Sequence, residues 1–210
     1  MINVLIISSY RLICASLSQI IDNEVGFHVV GVAEEYDQLP KLIKDKNVDV
    51  VLHEVCPPGI EHINLIKQLL NVKSGLRFLV LSTHALEPIP SQFLQAGAKG
   101  FITRQSSVDE VIMAINEVAA GRRFLGVECA QQMALDKMGV NENPFSLLST
   151  REMQVMMMIT SGHKVTSISD QLCLSPKTIN TYRYRLFSKL GVDSDVSLTR
   201  LAIRQGLLEP

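Results

Sequence analysis

The sequence predicts an α/β domain with a doubly wound parallel sheet, followed by a smaller all-α domain. Three observations lead to this fold class. Strand and helix patterns alternate over the first 120 or so residues, and the strand pattern is lost after Gly121. The charge balance also changes, because residues 1–144 carry twelve cations and sixteen acids whereas residues 145–210 carry eight and five. A chain of 210 residues can supply two domains, since one domain commonly takes about 100 to 200 residues.

The first strand is predicted at residues 2–7, where INVLII is a short and almost continuous apolar run. Such runs are typical of parallel strands that are buried on both faces. The next segment, 9–23, has the spacing of an amphipathic helix in its apolar residues, which are Leu12, Ile13, Leu17, Ile20 and Ile21. Further predicted strands lie at 28–33, 49–53, 77–81 and 100–102, each with a helix after it. Five parallel strands covered by helices on both faces are therefore expected.

We predict the domain limits as 1–122 for the first domain and 145–210 for the second, with a linker helix and linker over 123–144. GVECAQQMALDKM can form the helix of this linker region. GVNENP, residues 139–144, contains the glycine, asparagine and proline of a loop segment.

The second domain is predicted to contain four short helices. The first begins after Ser149, a suitable N-cap, and stops near Gly162. The second covers VTSISDQLCL, and the fourth covers 195–205. The third begins with Ser175 and Pro176 and should end at Lys189 or Leu190, before Gly191.

The third helix of this domain, SPKTINTYRYRLFSK, contains cations and tyrosines and no carboxylate. There is no acid between Asp170 and Asp193, so we expect its cationic face to lack neutralising partners and to approach phosphate. The cations of this face are Lys177, Arg183, Arg185 and Lys189. A helix, a short turn and a second, cationic helix make a helix-turn-helix, whose second helix enters the major groove of duplex DNA.

Side-chain chemistry suggests how this helix contacts DNA. Asn180, Thr181 and Tyr184 fall near the middle of the outward face, where base edges would be met, and asparagine suits adenine. Ser175 can contact a phosphate at the helix start. The inward face is expected to contain Ile179, Leu186 and Leu190, and Tyr182 fits either face.

Other classes of protein are disfavoured. No apolar run approaches the roughly 18 to 20 residues of a membrane span, and MINVLIISSY lacks the features of a signal peptide, so a cytoplasmic protein without membrane association is expected. The four cysteines, Cys14, Cys56, Cys129 and Cys173, are too dispersed to suggest a zinc site or a disulfide framework. We expect neither a cofactor nor a metal.

LLSTREMQV and ISDQLCLSPKTINTYRYRLFSKLGV resemble the LuxR-type helix-turn-helix of NarL/FixJ response regulators, and within that family the GacA/UvrY group. The resemblance extends over almost the whole chain. It implies a flavodoxin/CheY-like receiver domain, a dimer on double-stranded DNA and a role in transcription. The groove-facing positions implied are Lys177, Thr178, Asn180, Thr181 and Tyr184, and the positions near the DNA backbone are Ser175, Tyr182, Arg183, Arg185 and Lys189. The last helix, with Val196, Leu198 and Leu201, is implied as a dimer contact, although these residues could equally be core.

The receiver-like domain departs from the family pattern at the positions that bind Mg²⁺ and accept a phosphoryl group. Ser8 and Ser9 replace the acidic pair, and Glu54 stands at the acceptor position. Of the other switch positions, the hydroxyl is kept as Ser82, the lysine is replaced by Arg104, and the aromatic is Phe101. Mg²⁺ prefers carboxylate oxygens in octahedral geometry, so we expect metal-assisted phosphorylation to fail.

Two alternatives remain for Glu54. Paired with Arg104, it could mimic a phosphorylated acceptor, or it could occupy the pocket of a pseudo-receiver that serves as a scaffold. Alternation along the strand places the neighbouring His53 on the opposite face.

The leading functional hypothesis is a sequence-specific transcription regulator without phosphorylation control. An adaptor that modulates a related regulator through heterodimers is the alternative. The carboxyl ends of the strands offer no activated nucleophile or phosphate loop, so an enzyme is not expected.

Overall fold

The computed structural model describes residues 1–56, 60–83, 89–138, 143–205 and 207–208. Within them, two compact units are distinguished. The first is built from most of the described residues up to Gln131, and the second mainly from those that follow. Residues 139–142 of the predicted linker lie outside the described residues, and the predicted domain limits stay predictions.

The first unit contains a parallel sheet with the strand order β2-β1-β3-β4-β5-β6. The first five strands were predicted correctly, with limits that differ from the predicted ones by at most two residues. They are β1 (Ile2–Ile7), β2 (Phe27–Ala33), β3 (Val50–Val55), β4 (Phe78–Ser82) and β5 (Gly100–Thr103).

A sixth strand corrects the prediction of five. β6 covers Phe124–Leu125 and pairs in parallel with β5, with Gly100 opposite Phe124. This strand lies inside the region predicted to hold only a linker helix and a linker. Two residues are too few to give a periodic signal, so the pairing with β5 alone defines this strand.

Helices cover both faces of the sheet, as predicted. They are α1 (Arg11–Asp22), α2 (Leu39–Asp45), α3 (Ile60–Val72), α4 (Ile89–Ala96) and α5 (Val108–Ala119). A buried cluster joins α1 and α5 to one face, through residues such as Leu17, Ile115 and Leu52. On the other face, Phe93 of α4 lies 6.0 Å from Phe101 of β5 between ring centroids. A further helix, α6 (Val127–Lys137), follows β6.

The second unit contains the four predicted helices after a 3-10 turn at Pro144–Leu147. They are α7 (Thr150–Thr160), α8 (Val165–Leu172), α9 (Pro176–Leu190) and α10 (Asp195–Arg204). α7 packs on α8, α9 and α10, and α8 packs on α9. The small core between them includes Phe145, Met153, Ile168, Ile179 and Leu198, all fully buried.

Local capping explains where these helices begin and end. Ser149 forms a capping box with Glu152 at the start of α7. The Ser175 hydroxyl accepts from the Thr178 N–H at 3.1 Å, and Pro176 occupies the first turn of α9. Gly191 ends α9 with φ 63°, a left-handed conformation that favours glycine. The predicted caps are confirmed at these positions.

Candidate nucleic-acid interface and strand-end pocket

A three-residue turn, 173–175, joins α8 to α9 and completes the predicted helix-turn-helix. Cys173 adopts the left-handed conformation, with φ 52°. Arg151 of α7 also supports the turn, because its Nη2 donates to the Leu172 carbonyl at the end of α8 at 3.2 Å. The start of α9 is thereby fixed relative to α7 and α8.

The outward face of α9 brings together most of the predicted DNA-contacting side chains. Tyr184 is 68% exposed. Other predicted contacts are exposed beside it, namely Ser175, Lys177, Thr181 and Arg185, and Thr178 and Asn180 are half-buried. No ion pair of Lys177 or Arg185 is found among the described residues. These two cations therefore keep their charge available to a polyanion.

The inward face is largely as predicted. Ile179 and Leu186 are fully buried, and Leu190 and Tyr182 are half-buried. In α10, Leu198 belongs to the core, Val196 is 63% exposed, and Leu201 is half-buried. Val196 is thus the residue of that predicted dimer contact that the domain itself leaves most accessible.

Arg183 is neutralised within the domain, contrary to prediction. Its Nε and Nη2 donate to the two carboxylate oxygens of Asp195, at 2.6 and 2.7 Å. Its guanidinium carbon lies 5.3 Å from the centroid of the Phe187 ring. Asp195 is the first residue of α10, so the neutralising acid comes from another helix, which a count of charges along α9 could not reveal.

Lys189 is also paired, for the same reason. Its Nζ donates to Glu152 Oε2 at 2.7 Å and to the Leu147 carbonyl at 3.0 Å. The same Glu152 oxygen accepts from the Ser149 N–H at 2.8 Å. Burial alone would raise the pKa of the Glu152 carboxyl, but donation from Lys189 and Ser149 lowers it overall. Whether Lys189 also contacts DNA stays a prediction.

A second group of predicted residues meets at the carboxyl ends of the sheet strands. Ser8 follows β1 and donates its hydroxyl to Glu54 Oε2, while Arg104 Nη2 donates to Glu54 Oε1. The Tyr10 N–H donates to Ser8 Oγ at 3.0 Å, and the Tyr10 ring centroid lies 5.5 Å from the Arg104 guanidinium carbon. The Glu54 side chain is 1% exposed, so a buried carboxylate is held by a cation and a hydroxyl.

The remaining switch positions surround this pair. Ser82 and Phe101 are fully buried, and Ser9 is exposed. A cavity of about 260 Å³ opens beside Glu54, lined in part by Ser8, Ser9 and Glu34.

This arrangement does not fit Mg²⁺. The serine hydroxyls bring no negative charge, and the Arg104 cation already occupies one side of Glu54. Among the described residues, no group of three or more His, Cys, Asp or Glu side chains is placed to hold a metal ion.

His53 lies on the opposite face of β3 from Glu54, as predicted, and there it contacts helix α3. Its Nε2 lies 3.0 Å from Nδ1 of His62, which in turn lies 2.6 Å from the Tyr36 hydroxyl. Complete burial, followed by the neighbouring His62, holds the pKa of His53 well below 6.5. Burial and the nearby Glu61 raise the pKa of Tyr36 to about 12.

Several residues of these sites were not identified from the sequence. Asp195, Tyr10 and the Tyr36–His62 pair carry no local signal, because their partners are distant in the chain. Glu152 did carry one, since a serine followed three residues later by glutamate is the capping-box pattern.

None of the described helices has both the length and the apolarity that spanning a membrane requires. The four cysteines are free thiols.

Comparison with known proteins covers both domains. Residues 4–116 match the family described as the response regulator receiver domain, and residues 146–202 match bacterial regulatory proteins of the luxR family. The chain is 42% identical to response regulator UvrY of Escherichia coli strain K12 over 209 residues, which is 99% of this chain and 96% of that protein. It is 39% identical to response regulator GacA of Pseudomonas aeruginosa strain PAO1 over 211 residues, covering 100% of this chain and 99% of that protein.

Solved structures show the same fold. RcsB from Salmonella enterica serovar Typhimurium, bound to promoter rprA in the presence of phosphomimetic BeF3−, gives a TM-score of 0.76 at 22% identity and covers 95% of this chain and 96% of its own. The response regulator ChrA of a heme-sensing two-component system gives a TM-score of 0.55 at 26% identity and covers 99% and 98%.

Proposed function

Because the chain belongs to the response regulators that join a receiver domain to a LuxR-type DNA-binding domain, we propose that it is a sequence-specific transcription regulator that binds double-stranded DNA. The observation that carries this proposal is the outward face of α9. Lys177 and Arg185, which have no ion pair among the described residues, lie there with Asn180, Thr181 and the 68% exposed Tyr184. Cations attract the phosphates, and the polar side chains between them can reach base edges.

The proposed contacts divide into two kinds. Five side chains face the major groove and read bases: Lys177, Thr178, Asn180, Thr181 and Tyr184. Five others lie near the sugar-phosphate backbone: Ser175, Tyr182, Arg183, Arg185 and Lys189. Asn180 is the main specificity residue of this proposal, because an asparagine amide can form two hydrogen bonds with adenine.

The regulator is not controlled by phosphorylation of an aspartate. This part of the proposal rests on the residues that surround Glu54. A phosphoryl group cannot be accepted with Mg²⁺ where serines replace the acidic pair and where Ser8 and Arg104 already bind both oxygens of the carboxylate. Of the two alternatives for Glu54, its burial between these partners favours the scaffold, in which it serves as a structural partner of Arg104.

The protein acts in the cytoplasm as a homodimer on DNA. Exposed Val196 and half-buried Leu201 of α10 provide apolar surface for a contact between two copies. A heterodimer with a related regulator through the receiver domain is the alternative. Sedimentation of the purified chain alone and mixed with a related regulator separates the two.

Selection of duplexes from a random-sequence pool by the purified full-length chain tests the proposal. We expect enrichment of one sequence. We also expect an affinity that falls with salt with a log–log slope of about −2 to −3 per half-site, because Lys177 and Arg185 have no ion pair among the described residues whereas Arg183 and Lys189 are each bound by an acid. Asn180→Ala should weaken binding to the enriched duplex by about 1 to 3 kcal/mol and leave binding to a shuffled duplex unchanged. Binding without sequence preference, or no binding at low salt, contradicts the proposal.

A further inference from the structure

The Arg183–Asp195 pair uses only one edge of the guanidinium. Nε and Nη2 form the edge that Asp195 binds with two hydrogen bonds. Arginine has five N–H donors in a planar fork, so three donors remain, on Nη1 and Nη2. Among the described residues, no partner of Nη1 is found, and the Arg183 side chain is 30% exposed.

Arg183 lies at the rim of the outward face of α9. Ile179, four residues earlier, is fully buried, whereas Asn180, three residues earlier, is half-buried on the face proposed to read bases. Side chains at this rim are placed beside the phosphates that border a groove when a helix lies within it.

Two contacts hold the guanidinium in place. Asp195 fixes one edge, and the Phe187 ring, with its centroid 5.3 Å from the guanidinium carbon, restricts the plane. A guanidinium already held in this way loses less conformational entropy when it binds a phosphate.

We propose, on the premise that the chain binds DNA as described above, that Asp195 is a positioning residue for DNA binding. Its carboxylate accepts hydrogen bonds from the Nε–Nη2 edge of Arg183. The guanidinium is thereby oriented so that its Nη1–Nη2 edge can donate to a backbone phosphate. The acid thus strengthens binding to a polyanion even though its own charge repels it.

This inference predicts an effect of opposite sign to simple charge repulsion. If Asp195 acts only as a negative charge near DNA, its removal strengthens binding. If it positions Arg183, removal weakens binding and also removes one phosphate contact, so the magnitude of the salt slope falls by about 1.

The test compares Asp195→Asn with Asp170→Asn in the full-length chain. Both variants remove one carboxylate, from α10 for Asp195 and from α8, which packs on α9, for Asp170. Among the described ion pairs, Asp195 is the acid that binds Arg183. Fluorescence anisotropy with a labelled duplex selected from the random-sequence pool is measured across a salt series, after circular dichroism has established equal helicity. We expect Asp195→Asn to bind roughly fivefold to tenfold more weakly with a shallower slope, and Asp170→Asn to bind at least as well as the parent.

Two further variants check the mechanism. Asp195→Glu keeps a carboxylate and should restore most of the affinity and the slope. Arg183→Lys keeps the charge but lacks the planar fork, so it should resemble Asp195→Asn, and this comparison stands even where Asp195→Asn proves unstable.

The outcomes separate the inference from the function on which it rests. Equal or tighter binding by Asp195→Asn with an unchanged slope overturns the positioning role while DNA binding stands, and so does parent-like binding by Arg183→Lys. If neither the parent nor Asp170→Asn binds duplex DNA, the proposed function itself is wrong.

Discussion

Glu54 shows how a single residue can change the chemistry of a pocket. At the end of β3 it is the buried member of an ion pair with Arg104, and the Ser8 hydroxyl binds its second oxygen. A buried carboxylate requires such partners, because desolvation of an unpaired charge costs several kcal/mol. The three side chains therefore depend on one another. A substitution of any of them should lower the stability of the domain.

Glu54→Gln should lower the free energy of unfolding of the first domain by about 1 to 3 kcal/mol, because the buried amide cannot neutralise Arg104. Urea denaturation measures this loss. The control Glu24→Gln, which removes an exposed carboxylate, should leave the free energy of unfolding unchanged. For the scaffold role, operator affinity at equal folded fraction should not change. A drop in that affinity would instead identify Glu54 as a mimic of a phosphorylated acceptor.

His53 is expected to make the stability of the first domain sensitive to acid. Burial, then the neighbouring His62, holds its pKa well below 6.5, and its Nδ1 has no hydrogen-bond partner among the described residues. Below about pH 6.5 the unfolded chain binds a proton on this residue that the folded chain does not. Stability is therefore full above that pH and falls as the pH drops below it.

Between pH 7.5 and pH 5.5, this histidine should account for a loss of roughly 1 kcal/mol in the free energy of unfolding. His53→Met replaces the buried imidazole with an apolar side chain that cannot bind a proton, and it should remove that part of the pH dependence. His163→Met, at an exposed position, serves as the control and should keep it. Identical pH profiles for His53→Met and the parent would show that His53 is not the acid-sensitive group.

Helix α9 is held between acids from two other helices. Glu152 of α7 binds Lys189, and Asp195 of α10 binds Arg183. Lys177 and Arg185 remain as the cations without an ion pair in the described part of the chain. The recognition helix thus combines two cations that are bound by acids of neighbouring helices with two that have no ion pair in that part of the chain.

Lys189→Met and Arg185→Met should have contrasting effects. Removing Lys189 leaves the buried Glu152 without its cation and should lower domain stability by roughly 1 to 2 kcal/mol. Removing Arg185 should leave stability within about 0.5 kcal/mol and reduce the magnitude of the salt slope for DNA by about 1. Thermal melts and salt titrations measure both quantities. If Lys189→Met instead has normal stability and a reduced salt slope, the main role of Lys189 is to contact DNA and not to stabilise the domain.

Helix limits were accessible from the sequence because short-range interactions determine them. Ser149, Ser175 with Pro176, and Gly191 each act within one turn of their own helix. The two-residue strand β6 could not be predicted from the sequence. It is a strand only because Phe124 pairs with Gly100 of β5, which lies 24 residues earlier in the chain.

The chain as a whole combines a receiver domain, in which Glu54 stands at the acceptor position, with a LuxR-type DNA-binding domain whose third helix is exposed. If phosphorylation no longer controls it, acetyl phosphate with Mg²⁺ should leave the purified chain without a phosphoryl adduct in intact-mass measurements. A receiver with its acidic pair and acceptor aspartate intact, treated in parallel, provides the control. An adduct on the parent would contradict the altered-pocket argument.

Local sequence patterns were enough to identify the two domain classes, the first five strands and the helices of the second domain, whereas the loss of phosphate chemistry at Ser8, Ser9 and Glu54 stays a prediction from family resemblance and residue identity. Hydrophobic periodicity, caps and residue identity are local, so they can be recognised without coordinates. The neutralisation of Arg183 and Lys189 and the partners of His53 became known only from the packing of the elements. Those contacts join residues 12 positions apart for Arg183 with Asp195 and 37 apart for Lys189 with Glu152, and such pairings depend on how the helices pack.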